Sequence, residues 1–282
     1  MLAGRAEGVP LNPLILAQSR TTISFLILAP VLLVAKRRAS ALAMPRRDFF
    51  RCVLLGVLGL AASNFFYYYA ISKTTVTTAI ILQYIAPVWV LLYMVTRGLQ
   101  RATAQRVLAV ILAVSGIALA LGALGFSGAP PFVHLVGFKT NAAGVITAEL
   151  AAVSFAFYTI LGQKLVVQHD RWKVLLYALL AASAFWIVVN PPWKIFAAHY
   201  SGAQWIFLLV FAISSMLLPF SLYFSGLQYL DATRAIVTSC LEPVFAILFA
   251  TMYVHESLTP IQFLGVLVVL TATVLVQLPE KA

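Results

Sequence analysis

Nine stretches of about twenty mostly apolar residues follow one another along this chain, separated by short loops. An α-helix of that length crosses the ~30 Å hydrocarbon core of a bilayer. Charged residues make up only 10% of the 282 residues, too few to cover a water-soluble fold of this size. The sequence therefore predicts an all-α integral membrane protein with nine visible transmembrane helices. The predicted spans are 13–35, 50–71, 75–96, 104–125, 144–166, 172–190, 203–225, 231–254 and 260–278.

Basic residues are distributed unequally between the two alternating sets of loops. Fourteen Lys and Arg side chains lie in or beside the loops that follow the odd-numbered spans, and four lie on the opposite side. Because cytoplasmic loops carry the excess of Lys and Arg, the C-terminus is predicted to be cytoplasmic and the residues before the first span to be outside. The net charge of +11 is explained by these loops, so nucleic-acid binding is not predicted.

The chain also resembles itself at an offset of 156 residues. The run YYYAISKTTVTTAIILQYIAPVWVLL, from Tyr67, matches YFSGLQYLDATRAIVTSCLEPVFAIL, from Tyr223. The basic loop Arg97–Arg106 matches Tyr253–Gln262, which has no Lys or Arg and contains Glu256. Equivalent loops on opposite sides of a membrane are expected when each half has an odd number of helices. We therefore predict two inverted five-helix repeats, in domains 1–126 and 144–278.

Only four spans are visible in the first repeat, whereas the second has five. The missing helix of the first repeat is the one that would correspond to 144–166. Eleven residues precede Asn12, too few to cross the bilayer. Two interpretations stay open: a start site that omits the first helix, or a nine-helix protein with an outside N-terminus.

The segment from Gly226 to Val276 carries a recognisable pattern. It contains an Ala-rich helix, a Glu-Pro pair in mid-helix, a Glu at the outer end of that helix, and Gln-x-x-Gly opening the last helix. These positions are Glu242, Pro243, Glu256, Gln262 and Gly265.

With this pattern, nearly the whole chain resembles the EamA-type transporters of the drug/metabolite transporter superfamily. Arg20 matches the characteristic arginine of the family's second helix. Two departures are Gln100 and Arg101, where many members carry an acidic residue, and the missing first helix, which helps line the family's substrate cavity. The resemblance implies a ten-helix fold and export of amino acids or related compounds.

Glu242 is the clearest functional candidate because a carboxyl group in the middle of a predicted span is costly to bury. It shares a helical face with Asp231, Ala235 and Ser239. Two inverted copies of such a small or polar face predict a cavity near the bilayer midplane. Glu242 is interpreted either as a ligand for a substrate ammonium or a coupling proton, or as a local partner of the backbone freed by Pro243.

Glu149 and Arg20 also lie within spans. The Glu149 carboxylate is interpreted either as lining the cavity or as extending to the membrane–water interface by snorkelling of the side chain. Arg20 either contacts substrate or pairs with a carboxylate or with backbone carbonyls.

Further cavity residues are predicted from polar or aromatic side chains within spans, with Asn64 and Tyr68 on one helical face. The predicted cavity set is Asn64, Tyr67, Tyr68, Gln83, Trp89, Glu149, Ser214, Ser215, Ser239 and Glu242. Prolines inside helices predict hinge or gating points. These are Pro87, Pro219 and Pro243.

No enzyme motif, cofactor site or metal site is predicted from these residues. The predicted function is a multi-pass transporter of the cell (inner) membrane that exports small organic metabolites by alternating access, with a proton as the candidate coupling ion. A nucleotide-sugar or multidrug carrier, or a non-transporting membrane scaffold, stays as the alternative. The predicted partners are a small-molecule substrate and the lipid bilayer, and a homo-oligomer is allowed.

Overall fold

The computed structural model describes most of the chain as helices. The described residues are 13–35, 43–122, 124–127, 132–135, 141–191, 193, 195, 200–254 and 259–279. The helices are α1 (Pro13–Ala35), α2 (Arg46–Leu54), α3 (Ala62–Lys73), α4 (Val76–Gln83), α5 (Ala86–Thr96), α6 (Ala104–Ala120), α7 (Ala142–Gln168), α8 (Arg171–Val189), α9 (Gly202–Ala212), α10 (Leu218–Leu227), α11 (Ala232–Ser239), α12 (Leu241–Phe249) and α13 (Pro260–Gln277). The π-helical segments are Leu55–Ala61, Ile213–Leu217 and Ala250–Val254. The strands are β1 (Leu124–Ser127) and β2 (Phe132–Leu135), which pair antiparallel.

Joined across these irregular segments, eight helices are long and apolar enough to cross a bilayer, counted over the residues that the structure describes. The fourth predicted span, 104–125, is the one not counted among these eight, because its helix ends early at Ala120 and α6 therefore has 17 residues and a length of about 25 Å. Gly122, with φ of +70°, takes the left-handed conformation that closes this helix. An all-α membrane fold is supported, whereas the count of nine and the inversion of the repeats stay predictions.

Polar residues start several helices by accepting hydrogen bonds from the first turn. The side chains of Thr75, Thr103, Asp231 and Thr259 each accept a bond from the backbone N–H three residues later. Such caps satisfy N–H groups that have no partner within the helix. The short polar loops seen in the sequence are therefore also the helix-start signals.

The same spacing of 156 residues separates the starts of equivalent helices. Arg46 of α2 corresponds to Gly202 of α9, and Ala104 of α6 corresponds to Pro260 of α13. The caps Thr75 and Asp231 are related by the same offset. A π-helical segment follows in both α2 and α9. The internal similarity of the sequence at an offset of 156 residues thus extends to the starts of the helices and to their π-helical segments.

The chain forms two compact units, each of which takes segments from both predicted repeats. The first unit contains Met1–Tyr68 and Ile160–Tyr229. Within it, α8 packs against α1 and against the π-helical segment that follows α2. A Cβ on Gly56 would lie 2.3 Å from the carbonyl oxygen of Ala178, so this close approach requires glycine. Small residues at such crossings are typical of packed membrane helices.

The second unit contains Tyr69–Thr159 and Leu230–Ala282. Its main contact joins α6 to α13 along most of their lengths. A Cβ on Gly265 would come within 2.2 Å of the backbone nitrogen of Ala120, and one on Gly116 within 2.9 Å of the nitrogen of Val269. The core of this unit contains Val110, Ile117 and Val269 among other aliphatic side chains.

Large apolar side chains on many helices are exposed. Val34 is 76% exposed, Val188 81% and Val274 62%. A water-soluble protein does not leave so much apolar surface uncovered, because the cost scales with the area in water. Exposed aliphatic faces of this kind are expected where helices contact lipid acyl chains.

Candidate functional site

Two helices of the second unit are kinked at matching places. Between α4 and α5, the N–H of Ile85 donates to the carbonyl of Leu82, a tighter turn than the α-helical one. After α11, the N–H of Cys240 donates to the carbonyl of Val237 in the same manner. A proline then follows in each helix, and proline has no N–H to continue the α-helical ladder. Those prolines are Pro87 and Pro243, both buried.

Glu242 lies in the first turn of α12, directly after its kink, and its side chain is exposed. The phenol of Tyr84, located in the other kink, donates a hydrogen bond of 3.0 Å to Oε2 of Glu242. The ring of Tyr84 packs against the aliphatic core of the unit. The Glu242 carboxylate is therefore fixed at one oxygen by a rigid aromatic donor while its side chain stays exposed.

Glu149 and Trp89, predicted separately from the sequence, contact each other. The indole Nε1 of Trp89 donates a hydrogen bond of 3.3 Å to Oε2 of Glu149. Trp89 is 39% exposed, and Glu149 is half-buried on α7. Tyr84–Glu242 and Trp89–Glu149 thus give the second unit two carboxylates, each held by an aromatic hydrogen-bond donor.

Gln83 and Ser239, predicted as polar cavity residues, both end the helical segment before a kink. Gln83 is half-buried at the end of α4. The Ser239 hydroxyl donates a hydrogen bond of 2.7 Å to the carbonyl of Ile236 in its own helix. Their role as cavity residues stays a prediction.

In the first unit, Arg20 engages two of the predicted cavity residues. Its guanidinium donates a hydrogen bond to Oδ1 of Asn64 and lies over the ring of Tyr68, with Cζ 5.7 Å from the ring centroid. The Asn64 amide also donates to the carbonyl of Leu60 at 2.7 Å. These contacts favour the structural interpretation of Arg20, although the partner is an amide and a ring instead of the carboxylate or carbonyls considered from the sequence. Tyr67 packs edge-on against Tyr68.

Ser214 and Ser215 lie in the π-helical segment Ile213–Leu217 of the first unit. The hydroxyls donate to carbonyls of their own helix, at 2.9 Å for Ser214 with Val210 and at 2.6 Å for Ser215 with Phe211. Pro219 follows at the start of α10. All three predicted hinge prolines therefore lie directly after irregular helical geometry, and a hinge role stays a proposal.

An ionic cluster of the second unit was not predicted from the sequence. Asp231 caps α11 and also lies 3.4 Å from Arg106 and 3.5 Å from Arg234. Beside it, the Thr233 hydroxyl donates to the side chain of Gln100 at 2.7 Å. Gln100 stands where many members of the EamA-type family carry an acidic residue. In this structure its side-chain oxygen accepts a hydrogen bond from Thr233 of α11.

Tyr84 is the residue of this site that the sequence analysis missed. In an ideal helix with 100° per residue, Gln83 lies on the same face as Ala79, and Tyr84 points about 100° away from Gln83. The kink before Pro87 changes the direction in which the Tyr84 side chain points. Pro87 was therefore the sequence feature that could have identified Tyr84. Glu256 lies outside the described residues. Among the residues that are described, no cluster of three potential metal ligands is found.

Curated relatives match most of the chain. An "Uncharacterized transporter" of Archaeoglobus fulgidus is 28% identical over 213 residues, which cover 74% of this chain and 71% of the relative. The "Uncharacterized transporter YcbK" of Bacillus subtilis is 23% identical over 94% of this chain and 81% of its own length. The "Uncharacterized inner membrane transporter YicL" of Salmonella typhimurium is 23% identical over 84% of this chain and 75% of its own length.

The fold is also similar to that of a protein of known crystal structure. The TM-score is 0.73 with 16% sequence identity, over 98% of this chain and 90% of the other. At that identity the likeness shows the fold alone. The EamA-like transporter family matches residues 5–122 and 142–278, which is most of the sequence. This confirms the resemblance seen in the Gly226–Val276 pattern: the chain belongs to the EamA-like transporter family, and it is a multi-pass membrane protein of the transporter type.

Proposed function

We propose that this protein exports a small organic metabolite, an amino acid or a related compound, across the cell (inner) membrane by alternating access. The C-terminus is cytoplasmic in this proposal because of the loop charges. Membership of a transporter family supports the general activity, and the word "inner" in the name of the Salmonella relative supports the location.

The observation that carries the proposal is the Glu242 carboxylate at the kink between α11 and α12. An acidic side chain within a span is costly unless it faces water, a partner or a ligand. Tyr84 satisfies one oxygen of this carboxylate, and the side chain is exposed. Kinked helices in transporters provide such positions for substrates and coupling ions. We assign Glu242 to binding an ammonium group or a proton.

The second carboxylate, Glu149 with Trp89, supports a substrate that has both a cationic and an apolar part. An indole ring offers a flat apolar surface and attracts cations over its face. Gln83 and Ser239, in the same unit as the two carboxylates, are proposed as further polar contacts. The three prolines are proposed as the points at which the helices bend during transport.

The alternatives are less well supported by the contacts. A nucleotide-sugar carrier needs cationic groups for phosphate, but Arg20 is engaged by Asn64 and Tyr68, and Arg234 by Asp231. A multidrug carrier fits the same carboxylates and differs only in the range of substrates. A non-transporting scaffold gives no role to Glu242.

Transport by the purified protein in proteoliposomes tests the proposal. Labelled amino acids, nucleotide sugars and cationic dyes are offered separately to wild type and to the Glu242→Gln variant, with a pH-sensitive dye inside the vesicles. We expect amino-acid flux with wild type, accompanied by proton movement, and a loss of both in Glu242→Gln. Leu222→Ala is the control, since Leu222 is an exposed apolar residue of the first unit and alanine keeps that surface apolar.

Each other outcome has a defined meaning. Equal flux through wild type and Glu242→Gln removes Glu242 from the mechanism. Flux of dyes alone favours the multidrug carrier, and flux of nucleotide sugars alone favours that alternative. If folded wild-type protein moves none of these compounds, the transport proposal is wrong and the scaffold is favoured.

A further inference from the structure

A groove of about 470 Å³ runs along the surface of the first unit between α8 and the helix formed by α2 and its π-helical segment. Its walls are apolar side chains, and Ala181 and Ala184 leave the space between them. The lining residues are Phe49, Val53, Val57, Tyr177, Leu180, Ala181, Ala184, Phe185 and Val188. We call this space the α2–α8 groove.

Each wall of the α2–α8 groove is one stripe of a helix. Phe49, Val53 and Val57 recur every four residues on one side, and Tyr177, Ala184 and Val188 recur at helical spacing on the other. The rings of Phe49 and Tyr177 meet edge to face with centroids 5.2 Å apart, at one end of both stripes. Two apolar stripes that run side by side in this way fit a linear hydrocarbon chain.

Basic residues lie at the same end. Arg46 is three residues before Phe49, and Lys173 is four residues before Tyr177, so each continues one wall of the groove by one helical turn. Lys173 Nζ donates to the carbonyl of Ala43 at 3.0 Å, which holds it beside the start of α2. Arg47, next to Arg46, is exposed as well.

The acids nearest in sequence to these cations have other partners. Asp170, three residues before Lys173, caps α8 and accepts hydrogen bonds from the backbone N–H groups of Trp172 and Lys173. Asp48 lies 2.8 Å from Arg51 and 3.0 Å from His169. Among the described residues, no carboxylate pairs with Arg46, Arg47 or Lys173. Cationic side chains without an ion-pair partner therefore lie at one end of an apolar groove, on the side where the loop charges place the cytoplasm.

We propose that the α2–α8 groove binds one acyl chain of an anionic phospholipid, whose phosphate contacts Arg46 and Lys173. The acyl chain covers apolar side chains. The phosphate supplies a negative charge for Arg46 and Lys173, because Asp48 is paired with Arg51 and His169 and Asp170 caps α8. The lipid belongs to the cytoplasmic leaflet, where anionic lipids attract basic residues next to membrane helices. This site is separate from Glu242 and does not depend on the transported substrate.

Native mass spectrometry of the purified full chain in detergent tests the proposal, with phosphatidylglycerol or phosphatidylcholine added. We expect a bound phosphatidylglycerol on wild type and a preference over phosphatidylcholine that falls roughly fivefold for each cation removed. The charge variants are Arg46→Gln and Lys173→Gln, and Arg97→Gln is the control with an exposed cation in the second unit.

A second variant fills the groove. Ala184 is exposed within the lining, so Ala184→Trp adds an apolar ring there without changing the charge. We expect this variant to lose the bound lipid, while Leu222→Trp, on an exposed face outside the groove, keeps it. Unchanged lipid binding in Ala184→Trp, or equal binding of both lipids to wild type, overturns the proposal.

Crosslinking to wild-type protein avoids any dependence on variants. Phosphatidylglycerol with a photoreactive acyl chain is mixed with the protein in vesicles and irradiated, and the labelled peptides are mapped. Labels concentrated in 46–57 and 177–188 support the site. Labels spread over all exposed helices overturn it, and so does a dimer that covers these two segments, because the occupant is then a second copy of the chain.

Discussion

The phenol of Tyr84 and the carboxylate of Glu242 are joined by a hydrogen bond of 3.0 Å, although 158 residues separate them in the chain. Tyr84 lies in the kink between α4 and α5, and Glu242 follows the kink between α11 and α12. Because both helices belong to the same compact unit, this contact ties together the irregular points of two related helices. It is also the contact on which the proposed substrate chemistry depends.

Tyr84→Phe removes this hydrogen bond and keeps the ring that packs in the core. A hydrogen bond to a charged group is worth about 1.5–3 kcal/mol, so we expect kcat/KM for transport to fall by at least about tenfold. Thermal unfolding should change little. Tyr93→Phe is the control, since Tyr93 lies exposed on α5 beside Arg97. Unchanged kinetics in Tyr84→Phe would show that the Glu242 carboxylate does not need this donor.

Gly265→Leu should destabilise the second unit strongly. A Cβ at this position would lie 2.2 Å from the backbone nitrogen of Ala120, so α6 and α13 must move apart. We expect a loss of about 2–4 kcal/mol, the usual cost of overpacking and lost contacts. Unfolding in detergent measures the loss. Gly226→Ala is the matched control, because a Cβ there meets nothing within 4 Å and should be neutral or stabilising by up to about 1 kcal/mol.

The transmembrane helices were largely predictable from the sequence, whereas the contacts among their side chains were not. Apolar runs and loop signals locate helices because lipid forces the backbone to bond within each segment. The predicted 50–71 span starts earlier, at Arg46, since Arg46, Arg47 and Asp48 are helical although they are charged. Hydropathy detects the apolar part of a helix and not its polar first turn.

The hydropathy of the sequence did not predict which distant residues contact each other. Arg20 with Asn64 joins positions 44 residues apart, and Trp89 with Glu149 joins positions 60 apart. Each polar residue was identifiable alone because polar groups in spans are rare. Which polar side chains contact each other depends on how the helices cross. Small residues such as Gly56 allow the crossings, but the periodicity of the sequence does not show which helix packs against them.

Arg20 and Asn64 should be energetically coupled. Asn64→Leu leaves the guanidinium of Arg20 without its amide acceptor, so we expect a larger loss of stability than in the Arg20→Met/Asn64→Leu double variant. A double-mutant cycle on unfolding in detergent should give a coupling of about 0.5–3 kcal/mol. Additive losses would indicate that Arg20 is stabilised mainly by the ring of Tyr68.

The two roles of Asp231 can be separated by substitution. Asp231→Asn keeps a good cap for α11 and removes the charge that faces Arg106 and Arg234, so we expect a loss of about 1 kcal/mol or less. Asp231→Ala removes the cap as well, which should cost about 1 kcal/mol more. Equal losses in the two variants would mean that the ion pairs, and not the cap, account for the contribution of Asp231.

Pro243→Ala tests whether the kink before α12 moves during transport. Alanine supplies the N–H that proline lacks, so it can bond the carbonyl of Ser239 and straighten the junction of α11 and α12. We expect thermal stability to stay equal or rise, because a helix break has been repaired. If losing the bend adds about 1.4 kcal/mol to the barrier, turnover falls about tenfold while substrate affinity is retained. Flux in proteoliposomes and substrate-induced thermal stabilisation measure the two quantities. Pro30→Ala, inside α1 of the first unit, is the control for a helical proline with no proposed hinge role. A variant Pro243→Ala that is more stable and equally fast would exclude bending at this position from the rate-limiting step.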